Sequence, residues 1–298
     1  MKTAPTHNRV RSALAHAAAS AAVFFVLACG RSDTKATTTR DDLGRAVALP
    51  PRIARVVTLA PNLTEILFAV GASEKIVGTD DYSNFPPAAK ALPKVGGMQP
   101  NIEKIAALEP DLVIASSEGN HPNLAPALAA AGIPLFVVRT DRLPEITTAM
   151  TRLGRMLGGT RTDAAVKMLT NQIAAERRTR AHPPRVLFAV WTDPLFVGGR
   201  ETFTDDVMRL AGAQNAVQVT GWPQYSLETL VASPPDLVVY PRGAVTPQQI
   251  AALQQRVPEM KAPVVAIDED IFQRPGPRVA EAAHRLNAIL DAWERGAR

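Results

Sequence analysis

The sequence predicts an α/β protein made of two Rossmann-like lobes that one long helix joins. Three observations support this prediction. A unit of short helix, proline and apolar run occurs twice at matching offsets, strands and helices alternate along most of the chain, and one amphipathic stretch between the two halves has no strand of its own. Alternating strands and helices are typical of a parallel sheet covered by helices. Each lobe is therefore expected to contain one such sheet.

The repeated unit covers residues 101–115 and again residues 226–240. Each copy starts with Asn or Ser, whose side chain can accept hydrogen bonds from the free amides of a helix start. Each copy also carries an acid, Glu103 or Glu228, in the first turn, where the helix dipole favours it. Proline then ends the helix. The apolar runs that follow lack polar alternation, which is typical of strands covered on both faces of a parallel sheet.

The first lobe is expected at residues 53–141. In chain order the pattern predicts a strand at 55–59, a helix at 64–70, a short strand at 76–78, a polar loop at 80–87, the first repeated unit, a helix near 124–131 and a strand at 135–138.

A connecting helix is expected at residues 142–160, because apolar residues recur there at helical spacing. The second lobe, at residues 161–298, repeats the plan of the first. Its predicted elements are a helix at 162–178, a strand at 185–190, a helix at 205–210, the second repeated unit, a helix near 247–255, a strand at 264–267 and a terminal helix at 277–293. A rigid helical connector makes closure of the lobes a small tilt rather than a wide hinge motion.

Composition indicates a globular chain without a nucleic-acid partner. The chain has 298 residues, of which 46% are hydrophobic and 20% charged, so it has ample material for one large or two modest domains. Three of the 33 basic residues lie at the N-terminus, and the other 30 face 28 acidic residues, which leaves a formal charge of about +2. No basic patch is evident.

Residues 1–29 have the pattern of an export signal. Arg9 and Arg11 precede an apolar run at 13–27, and the only cysteine, Cys29, stands at the cleavage point. This arrangement resembles a bacterial lipoprotein signal peptide, in which such a cysteine becomes the lipidated first residue. An ordinary cleaved signal with an incidental thiol is the alternative. A flexible tether is expected at residues 30–52, and the protein is expected to be exported, periplasmic or on the cell surface, and held to a membrane only by lipid.

A ligand cleft is expected between the lobes, because ligands of open α/β sheets bind beyond the carboxyl ends of the strands. The loops at those ends lie around Asn62 and Tyr82 and at 116–120, 191–199, 221–225 and 268–274. They carry the aromatic residues Tyr82, Phe85, Trp191, Phe196, Trp222, Tyr225 and Phe272. Each of these residues, taken singly, is better explained by ordinary packing. Together they favour a cleft for a bulky, flat, partly apolar ligand.

Catalytic motifs are missing from the sequence. It has no P-loop, zinc-protease, α/β-hydrolase or dithiol motif, and its histidines lack metal-ligand spacing. We therefore expect a binding protein with no catalytic residue, metal site or resident cofactor, and a surface enzyme is the rival from another class. Arg274 can offer a donor fork to carboxamide or phosphate oxygens, with a surface salt bridge as the alternative. The alternative that His121 is an axial ligand to the metal of a bound complex stays open.

Residues 55–115 resemble the first lobe of the bacterial cobalamin-binding proteins of ABC importers, which belong to the helical-backbone (class III) periplasmic substrate-binding proteins. The residues that carry this resemblance are Val57-Thr58-Leu59-Ala60-Pro61 with Thr64-Glu65, Asp81-Tyr82-Ser83 with Pro86-Pro87, Asn101-Ile102-Glu103 and the run at 110–115. The second lobe is similar through residues 194–200, through Trp222-Pro223-Gln224-Tyr225 and through residues 270–274. The resemblance covers nearly the whole mature chain. The strand motifs are shared by haem and siderophore relatives.

The resemblance implies a non-enzymatic receptor, expected to be monomeric, that delivers cobalamin or another corrinoid to an ABC permease dimer and its ATPase subunits. It implies ligand contacts from Tyr82, Trp191, Phe196, Trp222 and Arg274. It also implies that Glu103 and Glu228 dock on arginines of the permease. The alternative is that the two acids only interact favourably with the dipoles of their helices.

The chain departs from the family pattern at two places. Residues 96–98, Gly-Gly-Met, and Ser116 stand where the family often has a tryptophan. Two stacking surfaces are therefore lost. The ligand is expected to be a cobalamin held by different contacts, a cobinamide or another metal chelate, with haem or a ferric siderophore on the same scaffold as the rival.

Overall fold

The computed structural model describes residues 37–119 and 123–296. The predictions made for residues 1–29, for Cys29 and for His121 lie outside these ranges.

The strands and helices follow one another along the described chain as follows. The strands are β1 (Thr37–Arg40), β2 (Ala46–Leu49), β3 (Val56–Thr58), β4 (Ile76–Thr79), β5 (Leu112–Ser116), β6 (Leu135–Val138), β7 (Arg185–Thr192), β8 (Leu195–Val197), β9 (Gln214–Asn215), β10 (Leu237–Arg242) and β11 (Val264–Asp268). The helices are α1 (Pro61–Val70), α2 (Ile102–Ala107), α3 (Leu124–Ala130), α4 (Leu143–Leu157), α5 (Thr162–Glu176), α6 (Phe203–Leu210), α7 (Leu227–Ala232), α8 (Pro247–Arg256), α9 (Glu269–Phe272) and α10 (Val279–Gly296).

The first lobe contains a parallel sheet in the order β4-β3-β5-β6. Every residue of β3 and β5 is buried, as expected of strands that helices cover on both faces. The mixed α/β fold with two lobes, predicted from the repeated unit, is confirmed.

The sheet of the second lobe, in the order β11-β10-β7-β8 with β9 beside β7, is parallel except at one edge. Strand β8 pairs antiparallel with β7, which corrects the prediction of parallel strands throughout. The reason is the length of the connection. A parallel neighbour needs a crossover of roughly a dozen residues, whereas only Asp193 and Pro194 separate these two strands.

The structure also corrects the predicted tether at residues 30–52. Its described part contains the antiparallel hairpin of β1 and β2. Val47 and Leu49 of this hairpin are buried in the core. The backbone N–H of Asp42 donates to the carbonyl of Val137 at 3.0 Å, so the hairpin turn is fixed against the edge strand β6.

Helix α4 connects the lobes and is part of the core of both. Its apolar face is buried in a hydrophobic cluster that runs from β3 of the first sheet to β7 and β10 of the second. At its start, the guanidinium of Arg142 donates to both carboxylate oxygens of Asp206 in α6, at 2.9 and 2.8 Å. A continuous core and this ion pair restrict how far one lobe can turn against the other.

Candidate functional site

A cavity of about 180 Å³ lies at the carboxyl ends of β3, β4 and β5, where the sheet topology predicts a ligand site. Residues of both lobes contribute to its wall. Those from the first lobe are Leu59, Ala60, Pro61, Asn62, Asp80, Tyr82, Gly97, Met98, Pro100, Ser116, Glu118, Gly119 and Leu124, and those from the second lobe are Gln273 and Pro275. The two lobes therefore share one cleft.

Tyr82 presents an exposed ring at this cleft, with 54% of the residue accessible to solvent. The ring lies on the backbone of Gly97, where a Cβ atom would stand only 3.0 Å from the phenolic oxygen. Gly97 therefore allows the Tyr82 ring to lie flat against the loop. The neighbouring Met98 is also exposed, at 65%.

Asp80 lies buried directly before this ring and fixes its loop. The carboxylate accepts hydrogen bonds from the Ser83 hydroxyl and from the backbone N–H of Tyr82, the latter at 2.9 Å. Burial raises the pKa of the Asp80 carboxyl, and these bonds together with the charges of Lys94 and Arg274 oppose that rise without cancelling it. The buried carboxyl group of Asp80 thus belongs to a residue that lines the cavity.

Trp222 approaches the cleft from the second lobe and meets Glu118 of the first. Its Nε1–H donates to the Glu118 carboxylate at 3.3 Å, and its ring lies close to Gly198, within 3.3 Å of the Cβ position of that residue. Burial raises the pKa of Glu118, the Trp222 bond opposes the rise, and the charges of Asp141 and Glu145 add to it. This hydrogen bond therefore joins the two lobes at the cleft.

A denser set of contacts joins the lobes in the cavity wall and next to it. The Asn62 side-chain amide donates to Thr140 Oγ1 at 2.9 Å and to the carbonyl of Pro275 at 3.0 Å. The Asn84 side-chain amide donates to the Asp270 carboxylate at 2.8 Å. These bonds hold the loop after β11 against the first lobe.

Arg274 belongs to this interlobe network. Its guanidinium donates to the Asn84 side-chain oxygen at 2.7 Å and to the carbonyl of Tyr82 at 3.3 Å. It also pairs with Asp270 and lies 3.5 Å from the Glu65 carboxylate. Only 12% of the side chain is exposed. Much of its donor capacity is used by the protein, and a ligand contact from Arg274 remains a prediction.

Trp191 and Phe196 lie on the β7–β8 hairpin, where they are paired residues of neighbouring strands. Trp191 is 42% exposed and its Nε1–H donates to the carbonyl of Asp193 at 3.0 Å. Phe196 is half-buried and bridges to Gln224, two residues beyond Trp222. The hairpin thus pairs with the loop that carries Trp222. Neither Trp191 nor Phe196 is among the residues that line the cavity.

Phe272 is a different case, because the sequence grouped it with the cleft aromatics. It is fully buried in α9 and packs against Phe188 with ring centroids 5.0 Å apart. This expectation was wrong, since the loop predicted after β11 continues as a helical turn that directs the ring into the core.

The acids of the repeated unit lie where the sequence places them, in the first turns of α2 and α7. Asn101 accepts from the Lys104 backbone N–H at 2.9 Å and Ser226 from that of Thr229 at 3.1 Å, so both predicted caps are confirmed. Glu103 and Glu228 are exposed. Each helix precedes a parallel strand, so its start lies at the carboxyl edge of its sheet, the edge that carries the cleft. Docking by these acids remains a prediction.

Sequence reasoning did not single out Glu118, and it named Glu65 only as part of the family motif, without its partner Arg278. The loop at 116–120 was expected at the cleft, but no motif distinguishes Glu118 within it. Within residues 37–119 and 123–296, no group of three or more His, Cys, Asp or Glu could hold a metal ion. No helix in those ranges is long and apolar enough to cross a bilayer.

A larger groove of about 680 Å³ lies elsewhere, between α10 and the edge strand β11. Its lining side chains are apolar: Leu237, Pro263, Val265, Ala288, Ile289, Ala292 and Trp293. Ligand sites combine an apolar wall with a few convergent polar groups. Among the described residues the groove has no such groups, so the smaller interlobe cleft is the better candidate.

Comparison with known proteins adds the family context. Residues 56–263 match the family described as periplasmic binding protein. Over 247 residues, 80% of this chain and 88% of the relative, the sequence is 31% identical to the vitamin B12-binding protein of Yersinia pestis (strain Pestoides F).

Solved structures include relatives that bind different ligands. The periplasmic vitamin B12-binding protein BtuF of Vibrio cholerae superposes with a TM-score of 0.65 at 26% identity, covering 81% of this chain and 98% of that one. A periplasmic heme-binding protein from Pseudomonas aeruginosa superposes with a TM-score of 0.68 at 29% identity, covering 80% and 92%.

Proposed function

The chain belongs to the periplasmic binding protein family, and from that premise we propose that it is a receptor that captures cobalamin or a related corrinoid and delivers it to an ABC importer. One observation carries the choice of ligand. Tyr82 of the first lobe lines the interlobe cavity with an exposed ring. The exposed ring of Trp222, from the second lobe, does not itself line the cavity but contacts the lining residue Glu118. Exposed aromatic rings contributed by both lobes suit a wide, flat ligand with apolar faces.

The polar groups of the cleft support the same choice. A corrinoid carries primary amides around its ring, and their N–H groups need acceptors. Glu118 offers carboxylate oxygens in the wall of the cavity, whereas both oxygens of the buried Asp80 already accept hydrogen bonds. Hydrogen bonds from an amide to a carboxylate are charge-assisted and stronger than neutral ones.

Binding requires the lobes to tilt apart. Small-molecule sites usually occupy about 300–1,000 Å³, whereas the cavity here measures about 180 Å³. The bond from Trp222 to Glu118 must break for a large ligand to enter. Because α4 lies in a core that both lobes share, we propose that opening is a small tilt.

The proposed delivery of the ligand to the permease depends on two exposed acids, Glu103 and Glu228. We propose that each forms an ion pair with an arginine of the permease dimer, one per lobe, which would set the register of docking. In this account Cys29 carries the lipid that keeps the receptor at the membrane, and the protein acts as a monomer without catalysis.

A receptor for haem or a ferric siderophore is the alternative, and the heme-binding relative from Pseudomonas aeruginosa favours it. Titration of the purified protein with cyanocobalamin, haemin and a ferric hydroxamate distinguishes the candidates. The proposal predicts saturable binding of cyanocobalamin at one mole per mole and weaker binding of the other two. No affinity for cyanocobalamin would reject it.

A further inference from the structure

We propose that Glu118 is a specificity determinant of the cleft, whose carboxylate favours the uncharged, amide-bearing corrinoid and disfavours tetrapyrroles that carry carboxylates, such as haem. This inference rests on the proposed function and names the group that separates its two candidate ligands.

The geometry places Glu118 in the cavity wall, at a contact between the two lobes. It lines the cavity in the loop after β5, and its carboxylate faces Trp222 of the other lobe at 3.3 Å. Among the ion pairs of the described residues, none includes Glu118. Its charge is therefore not neutralised by a salt bridge within the described chain.

The charges that act on Glu118 are also negative, although Arg139 lies 4.0 Å from one of them, Asp141. Asp141 and Glu145 both act on its carboxylate, and Asp80 lines the same cavity. None of the described residues that line the cavity is basic. An anion that enters this cleft therefore meets like charges on its wall.

Three basic residues in the loops around the cleft already have partners. Arg274 pairs with Asp270 and Glu65, and Arg142 is held by Asp206. Lys94 donates to the carbonyl of Ser83 at 2.6 Å and lies in the field of Asp80. These cations are thus poorly placed to offset the charge of Glu118.

The two ligand classes respond oppositely to this charge. The primary amides of a corrinoid can replace the Trp222 N–H as donors to Glu118, so the hydrogen bond lost on opening is regained from the ligand. Haem instead carries two propionates, which a carboxylate repels. In a wet cleft with an effective dielectric constant of about 40, two like charges about 10 Å apart repel enough to change affinity roughly threefold to tenfold.

The test compares Kd values for cyanocobalamin and haemin in the full-length protein and in the Glu118→Gln variant. The variant keeps the size and one acceptor oxygen and loses the charge. We expect haemin to bind about threefold to tenfold tighter and cyanocobalamin to bind no tighter, and the gain for haemin should shrink at high salt. Glu259→Gln is the matched control, because it removes one exposed charge in the loop before β11, at the end of that strand remote from the cleft.

A second variant separates charge from the hydrogen bond between the lobes. Trp222→Phe keeps an aromatic ring and removes the Nε1 donor. If Glu118 acted only by holding the lobes together, Trp222→Phe would change the haemin-to-cyanocobalamin ratio as Glu118→Gln does, and that result would overturn the inference. A ratio that Glu118→Gln leaves unchanged would overturn it as well. Failure of the wild-type protein to bind cyanocobalamin would instead contradict the proposed function.

Discussion

The carboxylate of Glu65, in the first lobe, accepts two hydrogen bonds from the guanidinium of Arg278, in the second lobe, at 2.7 and 2.9 Å. Both side chains are largely buried, with 2% and 15% exposed. The guanidinium also lies 4.2 Å over the ring of Phe85. This bidentate pair is a stronger joint than the single 3.3 Å bond between Trp222 and Glu118. Separation of the lobes should therefore begin at Trp222.

The Glu65 pair leads to a prediction about stability. Glu65→Gln leaves the buried Arg278 without its counter-ion, and breaking a buried pair from one side typically costs about 3–5 kcal/mol. Urea unfolding should show a loss of free energy of unfolding in that range. Arg285→Gln, which loses only exposed pairs to Glu281 and Asp268, is the control and should cost less than about 1 kcal/mol. Equal losses in the two variants would refute a structural role for the joint.

The contact between Gly97 and Tyr82 leads to a prediction about affinity. A Cβ at position 97 would press on the Tyr82 ring at 3.0 to 3.2 Å, so Gly97→Ala should displace the ring while the fold persists. We expect the Kd for cyanocobalamin to rise about threefold to tenfold, a cost of roughly 0.7–1.4 kcal/mol. Gly296→Ala meets open space and should leave the Kd unchanged. Unaltered affinity in Gly97→Ala would show that the ring position does not matter to binding.

Asp41 leads to a prediction about pH. Burial would raise the pKa of its carboxyl, but the hydrogen bonds and charge of Arg45 and the backbone N–H groups outweigh burial and hold that pKa below the ordinary 3.8. A depressed pKa means that the native state releases the proton more readily than the unfolded chain, so the stabilisation is present above the unfolded value and is lost as pH falls through the folded one.

The measurement for Asp41 is the Tm of the wild-type protein and of Asp41→Asn as a function of pH. The wild type should be more stable above roughly pH 5, and the gap should begin to narrow below roughly pH 4 and close as pH falls through the lowered pKa of the folded state. Asp163→Asn, at an exposed site in the first turn of α5, is the control for loss of one negative charge. A gap that stays constant down to pH 2 would mean that hydrogen bonding alone, and not the charge, holds the hairpin turn.

Glu103 and Glu228 lead to a prediction about transport. Reversing both charges, with Glu103→Lys and Glu228→Lys, should abolish ligand uptake by cells that carry the matching permease and leave soluble binding intact, because docking needs the acids and the cleft does not. The pair Glu74→Lys and Glu259→Lys places the same charges at other exposed sites, one in each lobe. Normal uptake with the first pair would identify the acids as helix-end residues only.

The repeated unit made most of the fold predictable, since its caps and proline are local signals that sequence spacing reveals. The β7–β8 hairpin was missed because Trp191 and Thr192 continue a strand whose apolar pattern stops at Val190. The β1–β2 hairpin was missed because Thr37–Arg40 is polar and reads as a linker.

The cleft could be predicted only in part. Loops at strand ends are local features, so Tyr82 and Trp222 could be selected from the sequence. The pairs that join the lobes could not, because Glu65 and Arg278 are 213 positions apart and Trp222 and Glu118 are 104 apart. Such contacts depend on how the two sheets are placed, and α4 and the shared core determine that placement.

Isothermal titration of cyanocobalamin into the wild-type protein and into the double variant Tyr82→Ala with Trp222→Ala tests the central claim most directly. The account predicts one mole of ligand per mole of wild-type protein and a Kd at least about a hundredfold higher in the double variant, since two aromatic anchors are lost. Urea unfolding of both proteins should give similar midpoints. Equal Kd values in the two folded proteins would contradict the claim that the ligand lies between these two rings.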